Sequence, residues 1–100
     1  MKGPRSKYNP RELANATLAD DLRILAAWHA TGVLPQKEVV RLMAKILRTI
    51  ADRKRKGQMR WTLHLDSVKD RKLWLLALAE LSKEDVLTIL SEEVERTKGK

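Results

Sequence analysis

Apolar residues recur at helical spacing along most of the chain, and the residues between these stretches predict where helices start and stop. Leu18, Leu22 and Leu25 follow one another at intervals of four and three, Ile24 and Trp28 widen the stripe, and Thr31-Gly32 supplies a left-handed stop. Upstream, Asn9-Pro10-Arg11-Glu12 offers a cap residue, a proline pre-set for the first helical position and a glutamate that can reach back to the cap amide. Thr17-Leu18-Ala19-Asp20 is a second capping box. Either one helix runs from Pro10 to about Ala30, or a short turn precedes the main one.

The clearest pattern lies between Pro35 and about Lys56. At 100° per residue Val39, Leu42, Met43, Ile46, Leu47 and Ile50 fall on one side, and Lys37, Arg41, Lys45, Arg48, Asp52 and Arg55 on the other. This predicts a helix with one core face and one cationic face. Arg53 and Lys54 would fall on the apolar side if the helix continued, so the core contact is expected to end near Ala51. The run Arg53-Lys54-Arg55-Lys56 would then project past the core, before Gly57 closes the helix.

Met59 to Leu65 alternates strictly, apolar at odd positions and polar at even ones, which is the period of a half-buried strand. No second run of this kind exists to pair with it, so an extended connector over 58–66 is favoured, with pairing between chains as the lesser alternative. Ser67-Val68-Lys69-Asp70 reads as a capping box that opens a third helix, in which Leu73 to Ala79 is apolar all the way round. In a chain this short, part of the cover for Leu73, Trp74, Leu75 and Leu78 is expected from a second subunit or a larger complex. Ser82-Lys83-Glu84-Asp85 caps a last helix, with Val86, Leu87, Ile89, Leu90 and Val94 on one face and Glu93 within that stripe.

Composition agrees with helices. Hydrophobic residues are 43% of the 100 but aromatics only 4%, so the core must be built from Leu, Ile, Val and Ala, side chains that suit helix packing. The expected fold is all-α: a compact bundle of about four helices forming a single domain over 9–97, preceded by a flexible basic arm at 1–8. Nothing in that arm can offset the entropy of ordering it. The chain has no cysteine, hence no disulfide or thiolate metal site, and its first residues have no apolar stretch that could act as a signal peptide. The default compartment is the cytoplasm. The longest apolar run, Leu73 to Ala79, is far below the roughly 18 to 20 residues of a membrane span.

Charge is unevenly spread. Residues 1–60 hold fourteen Lys and Arg against five Asp and Glu, a net +9, while residues 61–100 hold seven against eight, a net −1. Such asymmetry points to a phosphate-rich partner or an acidic surface. The cations group as an arm (Lys2, Arg5, Lys7), a helical stripe (Arg41, Lys45, Arg48), the run Arg53, Lys54, Arg55 and Lys56, and Arg60 beside Trp61. Cations one turn apart can each meet a phosphate, and an aromatic flanked by cations can stack on an unpaired base. For Trp61 the competing reading is a core anchor, and Trp28 and Trp74 read as core. No Asn or Gln array is placed to read base edges.

The inventory for catalysis is thin. His29, near the end of the first helix, and His64, in a polar slot of the alternating run, belong to no metal-ligand spacing. Asp20 and Asp21 are adjacent and point about 100° apart on a helix. The four glycines form no phosphate loop. An enzyme is disfavoured, and no cofactor, metal or small-molecule substrate is expected. The leading expectation is a non-catalytic accessory subunit that binds DNA or RNA through the phosphate backbone and assembles with itself or a larger nucleoprotein complex. The second is a protein-binding adaptor or inhibitor whose basic face meets an acidic partner.

Overall fold

Gly32 and Gly57 take φ of 79° and 73°, the left-handed backbone that glycine adopts without a Cβ penalty. Each ends a long helix. After the helix that ends at Ala30 the Val33 amide donates to the Trp28 carbonyl and the Gly32 amide to that of His29, and after the one that ends at Arg55 the Gln58 and Gly57 amides donate to the carbonyls of Arg53 and Lys54 in the same way. The computed structural model describes the backbone of residues 10–90 and the side chains of residues 15–90. In order its elements are α1 (Pro10–Ala30), α2 (Gln36–Arg55), a 3-10 turn (Leu65–Ser67), α3 (Arg71–Ala79) and α4 (Lys83–Ile89). Among the described residues the fold is all-α with four α-helices and no strand.

α1 runs unbroken, so no second start occurs at Thr17. The arm cations Lys2, Arg5 and Lys7, the cap at Asn9, and Glu93 and Val94 lie outside the described residues. α2 is the central element and packs on each of the other three helices. Its buried side is Val39, Met43, Ala44, Leu47, Ile50 and Ala51, which extends the predicted stripe by two alanines whose small side chains let neighbouring helices approach. Leu42 sits at the margin of that stripe and is exposed, contrary to the periodicity reading.

α3 starts at Arg71, three residues later than the Ser67 box implies. The Ser67 hydroxyl instead bonds backwards to the His64 carbonyl at 2.9 Å, which closes the 3-10 turn. Val68 then continues in extended backbone, half-buried against the core. Asp70 does the capping, its carboxylate accepting from the Leu73 amide at 3.4 Å. At α4 the predicted cap is used as read, with the Ser82 hydroxyl accepting from the Asp85 amide at 3.1 Å.

The segment between Gln58 and His64 is extended without being a strand. Met59 and Leu63 are buried, Trp61 and Leu65 half-buried, and Arg60 and His64 exposed. The alternation therefore records a chain laid along the helical core. The Leu63 amide donates to the Ile89 carbonyl at the end of α4 (3.4 Å), which supplies part of what a sheet would have provided.

Leu73, Trp74, Ala77 and Leu78 are buried within the single chain, against α2 and its neighbours. This corrects the expectation that Leu73, Trp74 and Leu78 need cover from a second subunit: the face of α3 that solvent reaches is the one carrying Leu75 and Leu76.

Candidate nucleic-acid interface

On α2 the residues Lys37, Arg41, Lys45 and Arg48 fall within an arc of about 80°, since each residue turns the helix by about 100°. All four are exposed. Lys37 and Lys45 have no side-chain partner in the described residues. One guanidinium nitrogen of Arg41 donates to both carboxylate oxygens of Glu38, one turn back, at 3.0 and 3.2 Å. Arg41 is largely in solvent and Glu38 about half so, and surface pairs of this kind contribute about 0–1 kcal/mol, so a phosphate can compete for the guanidinium. Arg48 donates to the Glu80 carbonyl at the end of α3 (3.1 Å) and keeps its remaining donors for solvent.

Of the run expected to project past the core, Arg53, Lys54 and Arg55 are tied to other parts of the fold, whereas Lys56 stays exposed. Arg53 donates to the Asn15 side chain (2.8 Å), and the same amide donates to the Gln58 carbonyl (2.7 Å), so the end of α2 is joined to the start of α1. Lys54 turns towards the core side, half-buried, and its ammonium donates to the carbonyls of Trp61 (2.5 Å) and Ile89 (3.4 Å) and to the Thr62 hydroxyl (3.5 Å). A cation at this place stabilises the α4 terminus, where carbonyls lack helical partners. Arg55 pairs with Asp85 at 2.7 Å. The hydrogen bond to Asp85 raises the Arg55 pKa, and the charges of Asp85, Asp52 and Glu84 add to it. Lys56, the cap residue after α2, pairs with Asp52 in the last turn of that helix at 3.1 Å.

Arg60 is exposed and has no side-chain partner in the described residues, whereas Trp61 beside it is half-buried and packed against the core. Trp61 is thus an anchor for the connector, which was the competing reading of that residue. The structure brings together the α2 stripe, widened by Lys37, and assigns most of the following run to holding the molecule shut.

Elsewhere the side chains sort as follows. His29 lies with Nδ1 3.2 Å from Asp70 Oδ2, without the alignment of a hydrogen bond, where the end of α1 meets the cap of α3. Among the described residues no three His, Asp or Glu side chains come together as a metal-binding group, and no helix is long and apolar enough to cross a membrane. Ile24 and Trp28, read as core from their spacing, are 44% and 45% exposed. They lie on the flank of α1, beside the buried Leu22 and Leu25.

No protein-family model, characterised protein or solved structure matches the chain.

Proposed function

We propose that the chain is a non-catalytic accessory subunit that holds DNA or RNA by the phosphate backbone, and that it assembles with itself or within a larger nucleoprotein complex. The observation that carries this reading is the solvent-facing row Lys37, Arg41, Lys45 and Arg48 on α2, in which Arg48 also reaches the end of α3, next to the cations that the fold consumes. The row spans about 16 Å of helix at 1.5 Å per residue, against about 3.4 Å of duplex axis per phosphate of one strand. Several phosphates therefore lie within reach of long, flexible side chains. The row offers ammonium and guanidinium groups without an Asn or Gln to read base edges, which suits binding indifferent to base sequence.

Affinity is then governed by counterion release and falls steeply with salt. Replacing Lys37 and Arg41 together by Gln removes two contacts without touching the tertiary structure, because neither side chain bonds outside its own helix. The slope of log affinity against log salt should flatten by about 1.4 to 1.8, at 0.7 to 0.9 per phosphate. The charge-preserving pair Lys37→Arg and Arg41→Lys should leave it unchanged. Binding isotherms to a generic duplex and a generic single strand at several salt concentrations measure this. An unaltered slope in the Gln variant would remove the stripe from the interface and leave an acidic protein surface as the partner to seek.

A further inference from the structure

A shallow groove of about 320 Å³ runs between α1 and α2, with Leu25 and Ile46 in its floor, Ile24, Trp28 and Leu42 along its walls, and Asp21 and Lys45 on its rim. Ile24, Trp28 and Leu42 are 44%, 45% and 36% exposed, so the groove joins three large apolar side chains that the described residues cover only in part. A contiguous apolar patch rimmed by charge is the signature of an association surface.

The rim charges point to the occupant. α1 and α2 are antiparallel, and the bond from Arg53 to Asn15 puts those two residues abreast. Six residues further along α1, Asp21 therefore stands abreast of the stretch from Lys45 to Leu47 on α2. Asp21 is half-buried and Lys45 exposed, and neither side chain has a partner in the described residues. The groove thus carries one unpaired negative charge on its α1 wall and one unpaired positive charge on its α2 wall, at the same level. A two-fold axis laid along the groove exchanges the walls and keeps the level, so each Asp21 would face Lys45 of the partner subunit.

We propose that this groove is where a second copy of the chain docks, α1 of each copy against α2 of the other, to form a two-fold four-helix arrangement closed over Ile24, Trp28 and Leu42. This names the surface for the self-association in the functional reading above, and it does not depend on nucleic-acid binding. Lys45 lies on the seam between groove and stripe, which is why the salt-slope variant leaves it in place.

The test uses the full chain freed of nucleic acid, by sedimentation across the micromolar to millimolar range. The wild type should show a monomer–dimer equilibrium, and Trp28→Glu, a change at an exposed position, should leave only monomer. Asp21→Lys and Lys45→Asp should each weaken the dimer by about tenfold or more, because each sets like charges against each other twice across the axis. Mixed together, the two variants should recover a dimer to within about threefold of the wild type, since every rim charge then meets its opposite. Pairing recovered only on mixing cannot arise from a change within one chain. A wild type that stays monomeric throughout would overturn the proposal, as would a dimer indifferent to Trp28→Glu, or variants whose mixture associates no better than either alone. In each of those cases the salt slope of Lys37 and Arg41 would still stand or fall separately.

Discussion

Lys54 and Lys56 are two residues apart in one cationic run and have opposite occupations. Lys54 is half-buried and bonded to the connector and to the end of α4, whereas Lys56 makes a solvent-exposed pair with Asp52. Replacing Lys54 by Met keeps the stem but strips the ammonium from Trp61 and Ile89, and hydrogen bonds to a charged group contribute about 1.5–3 kcal/mol. Lys54→Met should therefore lower unfolding stability by about 2 kcal/mol, and Lys56→Met by less than about 0.5 kcal/mol. Urea denaturation with an unchanged m-value measures both. Equal effects would mean that the contacts of Lys54 are no more than another surface pair. Periodicity already places Lys54 on the apolar side of α2; what the linear pattern lacks is the acceptor, because Ile89 is 35 residues away and its carbonyl is free only at the end of a helix not yet located.

Helix ends that depend on a residue and its near neighbours were legible, and those decided by competition were not. The glycine stops of α1 and α2 and the Ser82 cap need only local geometry. At Ser67 the same Ser-x-x-Asp spacing fails: the residue lies within the 3-10 turn, its hydroxyl donating back to the His64 carbonyl, and Asp70 does the capping. The connector gave a true period of two with no sheet, because an extended chain alternates whether its neighbour is a strand or a helical core. α4 spans only seven residues, too few to be helical in isolation, so its cap and the burial of Ile89 carry its stability. Ser82→Ala should lower stability by about 1 kcal/mol, measured by denaturant unfolding. A change near zero would show that tertiary packing alone sets the start of α4.

Over the whole molecule, an all-round apolar sequence such as that of α3 does not say which of its sides its own chain will cover, and the expectation of outside cover for Leu73, Trp74 and Leu78 fails for that reason. One fold covers Leu73, Trp74 and Leu78 and leaves Leu75 out, and the same limited supply of cover leaves Ile24 and Trp28 exposed on α1. The candidate site was half legible: the stripe on α2 follows from helical geometry, while the roles of Arg53, Lys54 and Arg55 depend on partners brought in by α1, α4 and the connector.

Among the described residues α1 shares an extensive packing surface with α2 alone, and beside its contact with Asp70 through His29 a groove of about 590 Å³, lined by Arg23, Ala26, Ala30, Val68 and Trp74 among others, lies between it and the start of α3. A helix held along one side can detach while the rest stays folded, so protection against hydrogen exchange should divide the molecule unevenly. In dilute solution the amides of α1 should exchange through an opening of lower free energy than those of α2 around Met43 to Ile50, which open only when the whole chain unfolds. Uniform protection across both helices would show that α1 is an integral part of the core. As concentration rises and a second copy covers Ile24 and Trp28, the difference should narrow, and the slowing of α1 alone would report that contact amide by amide.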